Sequence, residues 1–124
     1  AEGKTRIEPP RADQRAMLKR LYLQQSWLEI LEQADIISVY AAKGKVYAVT
    51  AKGEYLLRMR LYEAEERLDQ TRFVRISNSE IINLKMAKRF DLSFSGTICV
   101  NLAGGQTAYV SRRYVAKIKR LLGI

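Results

Sequence analysis

The chain has 124 residues, 48% hydrophobic and 28% charged, a balance that suits one folded domain and excludes wholesale disorder. Its apolar runs fall far short of the ~20 residues that span a bilayer. No signal-peptide pattern opens it, and the single Cys99 excludes an intrachain disulfide and fits a reducing, cytoplasmic setting. There is no histidine, so the commonest metal ligand and general base are missing.

The net charge of +9 is unevenly placed. Residues 1–70 carry twelve Lys/Arg against eleven Asp/Glu, whereas residues 71–124 carry ten against two, Glu80 and Asp91. The second half therefore holds nearly all the excess. That asymmetry points to an anionic partner, nucleic acid ahead of a membrane surface.

Residues 1–10, with Gly3 and Pro9-Pro10, read as a flexible lead. From about Asp13 to Gln24, Met17, Leu18, Leu21 and Tyr22 fall on one helical face, which predicts an amphipathic helix. Residues 1–25 are thus expected to be a linker or self-association extension, and 26–124 the domain proper. Trp27 to Leu31 fits a short strand. Ile36 to Ala41, Val46 to Thr50 and Glu54 to Leu57 follow, joined by Lys43-Gly44 and Lys52-Gly53, an antiparallel meander with tight turns. Lys43 and Lys45 project from the first turn. A helix is expected over about Arg60 to Asp69, with Leu57, Leu61, Ala64 and Leu68 as its apolar stripe and Glu63–Arg67 as an ion pair. Glu63, Glu65 and Glu66 read as a solvated face.

Phe73 to Leu84 is interrupted by Ser77-Asn78-Ser79, residues that favour turns, so the extended chain should bend there with Arg75 on the approach. Lys85, Lys88 and Arg89 then surround Met86 and Ala87. Phe94 to Leu102 alternates, with Ile98, Val100 and Leu102 on one face and Thr97, Cys99 and Asn101 on the other. Ala103 to Gln106 closes a hairpin on Thr107 to Val110. Ser111 is a good N-cap for a last helix whose Tyr114, Val115, Ile118, Leu121 and Leu122 share a face and which stops at Gly123. Arg112-Arg113 after the cap oppose the helix dipole, so stability alone would prefer acids there. Two arginines beside free N–H groups suit phosphates or base edges.

No histidine-based triad, Cys-x-x-Cys pair, phosphate loop or spaced hard-metal set is present, so neither an enzyme nor a cofactor is expected. Phe73-Val74-Arg75-Ile76-Ser77-Asn78-Ser79, Ile82-Asn83-Leu84, the Gly104-Gly105 turn and Tyr109 to Val115 together resemble the LytTR DNA-binding domain family over about residues 26–124. The resemblance implies a mainly β (α+β) fold: small antiparallel sheets, one internal helix and a C-terminal helix. It implies a bacterial transcription regulator that reads successive major grooves of double-stranded DNA with loops and the start of the last helix, commonly as two copies on direct repeats.

Carried over by motif, Asn78 is the polar reading residue with Arg75 and Ser77 beside it. Arg112 or Arg113 reaches a base, and Lys43 and Lys45 flank the first-hairpin contact. Lys117, one turn into the last helix, completes the expected DNA-binding set. Many family members have His, Arg or Lys where this chain has Asn78. Expected partners beyond DNA are a second copy, through the N-terminal helix or on DNA, and an upstream receiver domain or membrane partner, without direct membrane insertion. The competing reading is a non-catalytic protein-interaction module that has lost DNA binding.

Overall fold

The computed structural model describes residues 16–21, 28–93 and 96–124. The expected lead over residues 1–10 lies outside them, as do Trp27 and Phe94. The β-branched and aromatic runs pair as expected. β3 (Ile36–Ala42), β4 (Lys45–Thr50) and β5 (Gly53–Leu57) form the meander. β6 (Phe73–Ser77) and β7 (Glu80–Asn83) form the next hairpin. β7 pairs with β3, so the five strands join in the order β5-β4-β3-β7-β6, all antiparallel. A second sheet holds β8 (Ala87–Asp91), β9 (Ile98–Leu102) and β10 (Thr107–Val110) in the order β10-β9-β8.

Alternation along the central strands feeds two cores. Ile36, Val39, Phe73 and Ile81 turn to one face, where they meet Leu61, Ala64 and Leu68 at the short helix α1 (Leu61–Arg67). Ile37, Val74, Ile76 and Ile82 turn to the other face. They meet Ile98, Val100, Leu102, Val110 and Ile118, the last from helix α2 (Arg112–Leu122). The expected apolar stripe of α1 is therefore its buried side. Glu63 caps the helix by accepting the Arg60 backbone N–H at 2.8 Å. Gln33 closes its far end, accepting from the Asp69 N–H at 2.9 Å and donating to the Arg67 carbonyl.

Four expectations need correction. Ala16–Leu21 is a strand, β1, paired antiparallel with β2 (Leu28–Glu32), where a helix was expected; residues 13–15 and 22–24 of that expected helix lie outside the described residues. Four apolar residues at helical spacing are a weak local preference, and a second extended segment close by gives the backbone cross-strand partners instead. A helix-mediated self-association surface loses its basis with it. β8 was not expected as a strand, because an edge strand carries exposed Lys88 and Arg89 in place of clean alternation. Leu121 is 54% exposed and lies off the core face of α2, although Tyr114, Val115, Ile118 and Leu122 do pack. Ser111 occupies the N-cap position, but its side chain makes no capping bond and its buried Oγ has no partner among the described residues.

Asn83 is fully buried and joins the two halves of the sheet. Its Nδ2 donates to the Ile36 carbonyl at 2.8 Å, and its Oδ1 accepts from the Lys85 N–H at 2.9 Å. Truncation would leave the buried Ile36 carbonyl and the part-buried Lys85 N–H without this partner. Asn83→Ala should lower stability by about 1–3 kcal/mol, visible as a lower urea midpoint with an unchanged m-value. Parent-like stability would show that neither bond matters.

Candidate nucleic-acid interface

Sheet topology decides which loops become neighbours. β3 ends at Ala42 and its antiparallel partner β7 starts at Glu80, so the β3–β4 turn and the β6–β7 turn emerge at the same end of the sheet. The Ala41 N–H donates to the Ser79 carbonyl at 2.9 Å and ties the two ends together. The Ser111 N–H donates to the Ile76 carbonyl at 2.9 Å, which brings the start of α2 to the same end. Three segments far apart in sequence thus meet: Lys43–Lys45, Ser77–Ser79 and Arg112–Arg113.

The first turn is strained. Lys43 has φ 51° and Gly44 φ 78°, the two positive values of a type I′ turn between Ala42 and Lys45. Glycine takes such a φ freely, whereas a lysine there costs roughly 1 kcal/mol. Lys43 and Lys45 are both exposed. Strain of this kind persists where the surrounding structure holds it, and it clusters at functional sites.

The second turn is braced from inside. The pairing of β6 with β7 shifts register between Arg75 and Ser77, an irregularity of the kind that re-aims side chains. Arg75 shares the α1 face of β6 with Phe73, and its guanidinium is enclosed, with the side chain 16% exposed. It donates to the Ser77 carbonyl at 2.6 Å, to the Asn78 carbonyl at 2.7 Å and to Glu65 of α1 at 2.6 Å. Charge-assisted bonds of this sort are the strong ones. Glu65 is therefore not part of a purely solvated face, and Arg75 does not stand outward beside Asn78. Ser77 Oγ accepts the Ser79 N–H at 3.1 Å, an internal bond of the turn.

Asn78 is exposed, and Arg113 meets it across 35 residues of sequence: the Arg113 guanidinium donates to Asn78 Oδ1 at 3.2 Å. Arg112 goes elsewhere. Its side chain lies over Gly96, where an added Cβ would sit 3.1 Å from Arg112 Nε. The two arginines part company: Arg113 joins the Asn78 turn and Arg112 lies over Gly96. Lys117 is exposed one turn after Arg113 on the same stripe of α2. Thr97 Oγ1 donates to the Val110 carbonyl and fastens that connection to the strand leading into α2.

Two acids lie nearby. Burial pushes the Glu80 carboxyl pKa up, which favours its neutral form in a cationic surface. Tyr40 and Tyr47 stack across β3 and β4 at 5.3 Å, and Tyr40 donates to Glu54 at 2.6 Å. That bond, with burial, raises the Tyr40 hydroxyl to about 12.

Residues missed by sequence reasoning are Glu65, Glu80 and Gly96. Only the Glu65–Arg75 opposition of charge was visible, and nothing in their spacing showed that α1 would lie against β6.

Two Staphylococcus aureus proteins, from strains NCTC 8325 / PS 47 and COL, are each 36% identical to the chain over 97 residues. Both bear the name uncharacterized HTH-type transcriptional regulator. The match covers 78% of this chain but 65% of theirs, so the chain spans less than two thirds of those relatives. In this chain β6 to β10 separate α1 from α2, so the two helices do not form a helix-turn-helix pair. A solved LytTr DNA-binding domain from Bacillus cereus superposes with a TM-score of 0.80 at 21% identity, covering 88% of this chain and 98% of its own. It shares the fold. The family model for the LytTr DNA-binding domain matches residues 27–123, and the chain belongs to that family.

Proposed function

We propose that this chain binds double-stranded DNA sequence-specifically, as the DNA-reading part of a bacterial transcription regulator. The observation that carries the proposal is the convergence of the Lys43–Lys45 turn, the Asn78 turn and the start of α2 at one end of the sheet. Family membership and the regulator names of the S. aureus relatives support it. The side chains divide by chemistry. Asn78 and Arg113 contact base edges in a major groove. Lys43, Lys45, Arg112 and Lys117 neutralise phosphates, which fixes register without reading sequence. Arg75 and Ser77 act inside the protein, holding the turn that carries Asn78.

The domain performs no reaction in this scheme and needs no cofactor. Two copies would occupy direct repeats on one face of DNA. Receiver or membrane-partner segments would belong to a longer regulator working in the cytoplasm. No helix among the described residues is long and apolar enough to cross a membrane.

Binding should weaken steeply with salt. The log–log slope should be near −0.9 per phosphate contact, so about −4.5 to −7 for five to eight contacts. Lys43→Ala should reduce that slope by about one and leave base preference intact, measured by gel shift at several salt concentrations. A salt-independent affinity would defeat the proposal. Arg113→Ala should lose about 1–3 kcal/mol on the selected site and little on unrelated DNA.

Arg75→Ala should weaken binding to that site by about tenfold, roughly 1.4 kcal/mol, because the Ser77 and Asn78 carbonyls lose their brace. Affinity for unrelated duplex should change little. Equal losses on both DNAs would instead make Arg75 a phosphate contact.

A further inference from the structure

The contact between Asn78 and Arg113 determines more than position, and the following step rests on the DNA-reading proposal above. Arginine has only donors, so the Asn78 atom that it meets must be the carbonyl oxygen. The amide orientation is therefore fixed by chemistry: Oδ1 faces the guanidinium and Nδ2 faces away. Neither side chain has another partner among the described residues. What the pair offers outward is the Nδ2 hydrogens of Asn78 and the unspent N–H groups of the Arg113 fork, all of them donors.

A free asparagine reads adenine with both ends of its amide, accepting from the N6 amino group and donating to N7. Here one of the two lone pairs of the accepting oxygen is taken by Arg113. An adenine amino group brought to Oδ1 would also face the guanidinium, donor against donor and beside a positive charge. Cytosine presents only the N4 donor in the major groove and meets the same conflict. Guanine presents N7 and O6, both acceptors, and thymine presents O4. We propose that Asn78 and Arg113 work as one mainly donating unit that selects guanine at the step it covers, with thymine second and adenine disfavoured. Asn78 is in this view a specificity-determining residue whose usual preference is reversed by its neighbour.

The brace at Arg75 supports the arrangement from the backbone side, since it holds the Asn78 carbonyl while Arg113 holds the side chain. The turn is therefore gripped at two points, and the direction of Nδ2 is set before any DNA arrives. Preorganised donors of this kind discriminate better than mobile ones.

The test is selection from a randomised duplex pool with the full chain and three variants, Asn78→Ala, Arg113→Ala and Asn78→Asp. Asn78 and Arg113 are exposed, so the variants should fold, and thermal unfolding checks that each does. The parent should enrich guanine at one step. Both alanine variants should lose preference at that same step, as members of a single unit. Asn78→Asp keeps an oxygen for Arg113 but replaces the outward donors by an acceptor. It should move the preference from guanine to cytosine or adenine. Replacing the selected guanine by 7-deazaguanine, which lacks the N7 acceptor, should weaken parent binding by about tenfold.

Adenine at the step lost by Asn78→Ala overturns the inference, as does enrichment of the same guanine by Asn78→Asp. Loss of preference at two separate steps in the two alanine variants overturns it also. Absence of any enrichment by the parent overturns the DNA-reading proposal itself, and this inference with it.

Discussion

The constraint on which the rest depends is that three strands of the five-stranded sheet, β3, β6 and β7, are buried on both faces. β3, β6 and β7 each send alternate side chains to different cores, so none of them can slip by one residue without exchanging the contents of both. Register is thereby fixed at the centre of the molecule. Once Ser38 opposes Ile82 and Val39 opposes Ile81, the positions of both turns at the open end follow. The polar residues at that end need contribute nothing to folding. They are free to be strained, cationic and exposed because the strands behind them are not.

Arg75 shows how the two cores and the open end communicate. A guanidinium is costly to enclose without partners, and here it has three oxygen acceptors from two elements. One of them is a carboxylate on α1, so the helix on the far face of the sheet sets the geometry of the loop. The cation serves as an internal strut. Its charge is neutralised by Glu65, and it adds little to the positive field of the surface.

Much of this was legible in the sequence, and the exceptions have physical causes. The three hairpins were marked by Lys43-Gly44, Lys52-Gly53 and Gly104-Gly105, whose backbone demands are local. The α2 helix was marked by its periodicity and by Gly123, which adopts φ 76° at the C-cap. β1 and β8 were not legible: the first is a short amphipathic run that only its pairing makes extended, and the second is a charged edge. The inward turn of Arg75 and the parting of Arg112 from Arg113 depend on which elements pack together. Linear spacing carries no record of that. A basic half-chain and a family pattern pointed to these turns and to the start of α2, but not to which side chains brace and which stay exposed.

Gly96 has a consequence of a different kind. It has φ 76° and lies directly beneath the Arg112 side chain, although it has no side chain of its own to offer a partner. The space above it is a socket in which Arg112 rests. Any larger residue at 96 would press on the Arg112 guanidinium at 3.1–3.5 Å and shift it from this resting place. A residue without a side chain can thus decide where a charged neighbour rests, through the size of the floor on which that neighbour stands.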